Sequence, residues 1–350
     1  MKAKIEKPQI INSELRRDLI SKDSVVISRT RNRQPQDYRH KSKPFFTPKS
    51  KCPFENLGKS GQHPPVLAIH NGQRLSLNGV FPAQWSTVII PNKFPILSPV
   101  EKMEIKIQGQ FYETITASGF CELVISKDHK PRFHQLEVGQ IKEMIDAYQW
   151  RYLELMDKKF VSYISIFHNC GKEAAASQSH NHSQIITSPL VDKDLARALA
   201  NAREYEQRHN ACPYCDMRVF DKQEGRRLIF ENEHFMVVAP FASKSEFEMI
   251  ITPKRHSPNF EEVTEEEKLA LAQAFKKTLT ALEKALNGPD YNFYLHTSPC
   301  DNAKSYPYYH WHFTILPVVK KIGGFELSTK LDVNTIEPEI AAQFIKKYLK

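Results

Sequence analysis

Phe167-His-Asn169-Cys-Gly171-Lys-Glu-Ala-Ala-Ala-Ser177-Gln-Ser-His180-Asn-His182-Ser-Gln184 is the stretch on which the reading of this chain turns. It closes in His-x-His-x-Gln and runs into the apolar pair Ile185-Ile186, so the histidines are expected on a strand. Alternate side chains of a strand share a face. The motif is read as setting His182 and Gln184 together and turning His180 the other way. One histidine then serves a metal or the scaffold while its neighbour meets substrate. A second pair, His310-Trp311-His312, runs into Phe313-Thr-Ile315-Leu316 near the C-terminus.

Two such pairs imply duplication, and the flanking sequence agrees. Ile125-Ser-Lys-Asp-His129-Lys-Pro131-Arg-Phe133 matches Ile251-Thr-Pro-Lys-Arg-His256-Ser-Pro258-Asn-Phe260, with Pro two and Phe four residues beyond each His. From that His to the His-x-His pair is 51 residues in the first half and 54 in the second. Strand-like runs fall at Trp85 to Ile90, Cys121 to Ser126 and Val161 to Phe167. Helical spacing covers Leu136 to Met156, with Ile141, Met144, Ile145, Tyr148 and Tyr152 on one face, and Leu190 to His209. The second half repeats the order: strands at His234 to Ala239, Glu246 to Thr252, Tyr291 to His296 and Tyr309 to Leu316. Its long helix runs from a Thr264-Glu-Glu-Glu267 capping box to about Leu286, and a short helix closes the chain. The expected fold is α+β, two similar halves, 1–195 and 196–350, each an antiparallel sheet with a helix packed on it.

The 350 residues, 41% of them hydrophobic, suffice for a substantial core. The N-terminus, Met1-Lys-Ala-Lys-Ile-Glu-Lys, is charged and lacks the apolar stretch of a secretory signal. No apolar run reaches the roughly 18 residues of a membrane span. Six cysteines are too few for a disulfide framework, and the cytoplasm is the expected compartment. The net charge of +9 owes much to Arg29, Arg31, Arg33, Arg39, Lys41, Lys43, Lys49 and Lys51. No stacking-aromatic array or helix-turn-helix accompanies this stretch, so nucleic acid is not an expected partner.

Cys212-Pro-Tyr-Cys215, read as a tight turn, combines with His256 and His310 into a Cys2His2 set suited to zinc. The bland alternative is two buried thiols and two ordinary histidines. In the first half Cys52-Pro-Phe-Glu55 offers one thiol and one carboxylate, with His129 and His180. That set could hold zinc, or stand empty with His180 bonded into the scaffold. Neutral imidazole is a nucleophile at pH 7, and attack by His182 on the α-phosphorus of a nucleotide gives a phosphoramidate. An acceptor that is already an anionic phosphate needs no general base. The transition state needs donors for its non-bridging oxygens, which Gln184, Ser177 and amides of the 171–177 loop can supply.

These residues resemble the galactose-1-phosphate uridylyltransferases and their relatives the ADP-glucose phosphorylases, within the histidine-triad superfamily. Leu15-Arg-Arg-Asp18 with Val25 to Arg31, Trp85 to Pro95, Phe167 to Gln184 and Gly323-Gly-Phe325-Glu326 carry the resemblance in order along the chain. It implies a duplicated histidine-triad-like fold, with His182 as nucleophile and Gln184 steadying the nucleotidylated state. Asn92, Phe94, Asn169 and Ser177 would line the nucleotide and phosphate pocket, with Arg31 on phosphate. Lys320, Phe325 and Glu326 would meet the sugar phosphate, reaching the site of a partner subunit in a homodimer. Cys52, His129 and His180 fall at the family's first metal site, and His256 and His310 with the cysteine pair at its second zinc.

The chain departs from the family in three places. Asn181 stands where Pro usually separates the histidines, Glu55 replaces a metal cysteine, and the stretch 327–334, Leu-Ser-Thr-Lys-Leu-Asp-Val-Asn, contains no glutamine to contact hexose. The leading expectation is an enzyme exchanging a nucleotidyl group between a nucleotide sugar and a sugar 1-phosphate, with UDP-glucose and galactose 1-phosphate as the first specific pair. The alternatives are a phosphorylase using inorganic phosphate with ADP-glucose or a dinucleoside polyphosphate, and a metal-stabilised nucleotide-binding protein without catalysis.

Overall fold

The computed structural model describes residues 13–31, 33–39, 45–130, 132–301 and 305–350. Lys41, Lys43 and Pro131 of the motifs above lie outside them. Short β-branched and aromatic runs, punctuated by Pro, Gly and Asn, form the strands. In the first half these are β1 (Glu14–Arg17), β2 (Ser24–Ile27), β3 (Leu67–His70), β4 (Gln73–Arg74), β5 (Thr87–Pro91), β6 (Ile105–Gln108), β7 (Tyr112–Ile115), β8 (Cys121–Ser126), β9 (Tyr163–Cys170) and β10 (His182–Ser188). The second half adds β11 (Leu228–Glu231), β12 (Phe235–Val238), β13 (Met249–Pro253), β14 (Tyr291–His296), β15 (His312–Pro317) and β16 (Asp332–Asn334). The helices are α1 (Val138–Leu155), α2 (Lys193–His209), α3 (Pro213–Glu224), α4 (Glu265–Leu286), α5 (Gly324–Thr329) and α6 (Pro338–Lys346). None of them is long and apolar enough to cross a membrane.

The largest sheet is antiparallel and runs β11-β12-β13-β15-β14-β9-β10-β8-β5-β3-β4. Its order reads the same outward from the centre: β9, β10, β8, β5 and β3 on one side match β14, β15, β13, β12 and β11 on the other. The two antiparallel sheets implied by duplication are thus present, joined edge to edge where Asn292 of β14 stands opposite Asn169 of β9. The joint removes two exposed strand edges at once.

α1 and α4 lie on one face of this sheet and share a single core with it. The predicted stripe of α1, Ile141, Met144, Ile145, Tyr148 and Tyr152, is buried against it. Phe133 of the first half inserts among Phe275 and Phe293 of the second, ring centroids 5.6 and 5.0 Å away. Its counterpart Phe260 meets Trp311 at 5.4 Å and Tyr152 of α1 at 6.1 Å. The duplicated His-x-Pro-x-Phe motif therefore crosses the halves and locks them. The capping box of α4 forms as read, with Thr264 and Glu267 exchanging hydrogen bonds.

β1 to β4, β6, β7, β11, β16, α3 and α5 escaped the sequence reading. β1 and β2 pair with each other, and β2 pairs with β16 in parallel, so the N-terminal strands pack on the second half. Arg16 is buried there, its guanidinium bonded to Glu339 and the Phe241 carbonyl. The β6–β7 hairpin is a separate ribbon, exposed along its length. Short half-buried strands carry too few residues to show a period.

His134 is buried with Nδ1 lacking a hydrogen bond, and burial, aided by Arg132 and Lys276, brings its pKa down to about 4. Its unfolded value is near 6.5, so below that pH the unfolded chain binds the extra proton and stability falls with pH. Between pH 7 and 5 the wild type is expected to lose about 2 kcal/mol more than His134→Leu. Urea unfolding of both proteins at the two pH values measures it, and equal losses would remove His134 from the account.

Candidate active site

β10 begins at His182, whose ring is buried beneath Phe54 at 5.2 Å between centroids. His182 Nδ1 lies 2.8 Å from the His180 carbonyl oxygen, which can only accept. Nδ1 therefore carries the proton and Nε2 keeps its lone pair. Burial also holds the ring's pKa below its ordinary value, opposed by that backbone bond.

The expected opposition of His180 and His182 is not what forms. Residues two apart share a face, and Phe54 meets both rings, His180 at 5.7 Å. Hydrogen bonding separates their tasks instead. His180 lies in the bend before β10, and its Nε2 donates to the Ser126 carbonyl at 2.8 Å.

Gln184 continues the face of His182, with Phe167 and Leu123 as its strand neighbours. One step along the same register, Asn169 stands across from His182. The loop between β9 and β10 is held from the second half. Gly171 has φ +94°, and a Cβ there would sit 1.9 Å from Asp290 Oδ1. Asp290 Oδ2 accepts the Glu173 amide at 2.8 Å. Ser177 is exposed on this loop.

Two clusters could hold metal. In the second half Cys212, Cys215, His256 and His310 place one donor atom each within 4.8 Å of one another. The cysteine pair lies in the first turn of α3, with Cys212 at the N-cap and Pro213 after it, rather than on the tight turn expected. Pro is favoured there because its missing N–H has no helical partner to lose. Cys215 Sγ is 3.5 Å from Nδ1 of both histidines. The Cys212 thiol chiefly, then His310 and His256, lower the Cys215 pKa. Each histidine commits Nε2–H to a carbonyl, His256 to Pro307 and His310 to Pro253, which leaves Nδ1 free inward.

The first-half cluster repeats this device. Nε2 of His129 donates to Thr47 O at 2.8 Å, as Nε2 of His180 does to Ser126 O. Their unprotonated Nδ1 atoms then face each other at 3.2 Å, with Cys52 Sγ 3.3 Å from His180. Two lone pairs at that distance repel unless a cation lies between them. Glu55 Oε1 is 2.8 Å from His129 Nδ1 and 3.7 Å from His180 Nδ1, buried and without a hydrogen bond. Ligands about 2.0–2.3 Å from a tetrahedral ion stand roughly 3.3–3.8 Å apart. The 3.2 and 3.3 Å separations of His180 from His129 and Cys52, and the 3.5 Å separations around Cys215, approach this spacing. Glu55, at 2.8 Å from His129, stands closer than a ligand pair.

The remaining predicted residues are more scattered. Asn92, just past β5, accepts the Phe94 amide on its Oδ1 at 3.0 Å, and Phe94 is 80% exposed with Lys93 over its ring. Arg31 sits in the exposed turn after β2. Lys320 donates to the Val333 carbonyl and lies 3.6 Å from Glu246. Phe325 is exposed and Glu326 half-buried on α5. Among the described residues no hydrogen bond, ion pair or ring contact links Arg31, Lys320, Phe325 or Glu326 to His182.

Sequence reasoning missed Phe54 and its counterpart Tyr214, which lies 5.9 Å from His312 and 6.4 Å from His310. The repeated Cys-Pro-aromatic triplet was the available signal. Asp290 and Asn292, supporting the loop from more than 110 residues away, had none.

Residues 73–192 match the N-terminal domain of galactose-1-phosphate uridyl transferase and residues 198–339 its C-terminal domain. The chain belongs to the galactose-1-phosphate uridyl transferase family. It is 31% identical to the ADP-glucose phosphorylase of Arabidopsis thaliana over 95% of this chain and 92% of that one. With the galactose-1-phosphate uridylyltransferase of Thermotoga maritima it shares 27% identity over 76% of this chain and 86% of the other. The crystal structure of an Arabidopsis thaliana ADP-glucose phosphorylase with bound ADP-glucose superposes with a TM-score of 0.78, at 27% identity, covering 96% and 99% of the two chains.

Gly171→Ala is expected to cost about 1–3 kcal/mol from the strained φ, plus the clash with Asp290. In an Asp290→Ala background, where the Glu173 amide has already lost its acceptor, Gly171→Ala should cost only the part due to φ. Denaturant midpoints of the single and double variants test this, and a neutral Gly171→Ala would show that the loop is not held as described.

Proposed function

We propose that this chain transfers a nucleotidyl group from a nucleotide sugar to a phosphate acceptor by double displacement through His182. The observation that carries the reading is the committed Nδ1–H of His182, which leaves a lone pair on Nε2 beside Asn169 and Gln184. Nε2 attacks the α-phosphorus, a P–N bond forms, and the bond from α-phosphorus to the bridging oxygen breaks, releasing sugar 1-phosphate. The loaded ring carries positive charge, and the His180 carbonyl stabilises it through Nδ1–H. An acceptor phosphate oxygen then attacks the same phosphorus and the P–N electron pair returns to Nε2. Gln184, Asn169, Ser177 and loop amides act on the non-bridging oxygens, while Asn92 and Phe94 contact the nucleotide and Arg31 a phosphate.

The two halves, 1–195 and 196–350, divide the work: the first carries the nucleophile, the second supports its loop. Lys320, Phe325 and Glu326 act on the acceptor in the site of the second subunit of a homodimer, a reading their exposed or half-buried positions support. Zinc occupies both histidine clusters as a structural ion, the first with Glu55 as its carboxylate ligand. The compartment is the cytoplasm.

The higher identity and longer match to an ADP-glucose phosphorylase favour an adenylyl donor and inorganic phosphate as acceptor. The missing glutamine in 327–334 supports the same choice. Uridylyl transfer from UDP-glucose to galactose 1-phosphate is the second reading.

Intact-protein mass after incubation with ADP-glucose or UDP-glucose, quenched in mild alkali, decides between them. An adenylyl adduct discharged by inorganic phosphate is expected, whereas a uridylyl adduct discharged by galactose 1-phosphate selects the second reading. His182→Ala should lower adduct formation by about 10³-fold or more; an undiminished adduct in that variant sinks the mechanism. Elemental analysis should find zinc at both clusters, with Cys215→Ser losing the second-half ion and Glu55→Ala weakening the first. A wild-type protein free of zinc would overturn the structural-ion assignment.

A further inference from the structure

Asn169 is a carboxamide, with an acceptor at one end and two donors at the other, and its use to an anionic substrate depends on which end faces His182. The answer lies in the second half. Asn292 of β14 is the direct strand partner of Asn169, so both side chains emerge on the face that carries His182 and Gln184. The Asn292 side-chain nitrogen lies 2.9 Å from the carbonyl oxygen of Ala174, in the loop after β9. A carbonyl only accepts, so the atom facing it must be the amide nitrogen. The same nitrogen lies 2.8 Å from the side chain of Asn169. Its second proton therefore points at Asn169, which must answer with Oδ1.

We propose that Asn292 is a positioning residue for nucleotidyl transfer: it holds Asn169 Oδ1 away from the site and so turns both Asn169 N–H donors toward the non-bridging oxygens of the phosphoryl group on His182. The inference rests on the transferase reading above. Asn292 has no degree of freedom left to allow the opposite orientation, because its two protons are divided between Asn169 and Ala174. Reversing Asn169 would bring two amide nitrogens together and leave one Asn292 proton without an acceptor. The donor pair is thereby set before substrate arrives, and no binding energy is used to turn it. A residue of the second half thus completes the phosphate site of the first.

A double-mutant cycle tests the claim, because a residue that acts only through Asn169 has no effect once Asn169 is gone. The rate of adduct formation in a single turnover is measured for wild type, Asn169→Ala, Asn292→Ala and the double variant, alongside AMP and UMP affinity by calorimetry. Asn292→Ala is expected to slow adduct formation by about 10-fold or more, within the range for a lost transition-state donor. In the Asn169→Ala background the same substitution should change the rate less than about twofold. Asn292→Asp keeps the shape but offers oxygen to Ala174 and Asn169, and should be at least as slow as Asn292→Ala. Should Asn292→Ala fail to fold, the Asp variant carries the cycle.

Losses that multiply in the double variant, or an Asn292→Ala protein as fast as wild type, overturn the proposal. If wild type forms no adduct from any nucleotide sugar, the transferase reading falls first, and the cycle is read in AMP and UMP affinity instead. Coupled losses of affinity then retain the orientation of Asn169, and independent ones remove it. A wild-type chain that neither binds nor becomes labelled ends both.

Discussion

The pairing of β9 with β14 is the constraint on which the rest of the molecule depends. Each half presents one strand whose outer edge would otherwise stay unpaired, and joining them makes a single sheet with one core beneath it. The joint also brings Asp290 and Asn292 under a loop that belongs to the first half. A glycine at 171 is required because the Asp290 carboxylate occupies the space a side chain would need. Fold and site are consequently not separable: the register that closes the sheet is the register that places the loop.

A second recurring device is the commitment of one histidine nitrogen to a backbone carbonyl. His129, His180, His256 and His310 all give Nε2–H away and turn Nδ1 inward, toward the other donors of their clusters. His182 does the reverse, giving Nδ1–H to His180 O and leaving Nε2 open. One carbonyl choice per ring thus decides which nitrogen stays open on residues of identical chemistry.

The two halves share this posture and diverge around it. His312 also donates Nδ1–H, to His310 O at 3.1 Å, with Tyr214 where the first half has Phe54. Around it, however, Thr314 stands in place of Gln184, and His296 in place of Asn169, stacked on His312 at 4.7 Å. The second copy keeps the imidazole and lacks the amide donors. Through Asp290 and Asn292 it also supports the first copy's loop.

Local pattern carried much of this. The β-branched runs, the 3.6-residue stripe on α1, the Thr264 capping box and the paired His-x-His motifs are properties of neighbours in sequence, and each was readable without coordinates. Conserved spacing between motifs also exposed the duplication, because repeated halves repeat their intervals. Short strands such as β1, β2 and β16 were illegible, since three or four residues hold less than a full pattern and β16 pairs with a strand at the far end of the chain. The face of His180 was misjudged for a different reason: a two-residue period puts it with His182, and only the Ser126 carbonyl turns its ring to another task. Which nitrogen of His129, His180, His256 and His310 is open, which end of Asn169 faces the site, and why residue 171 must be glycine depend on carbonyls, a carboxamide and a carboxylate delivered from 50 or more residues away. Sequence by itself determined the elements, their repetition and the chemical types at the site; tertiary structure alone decided their protonation and orientation, because hydrogen bonds answer to distance in space and not to separation along the chain.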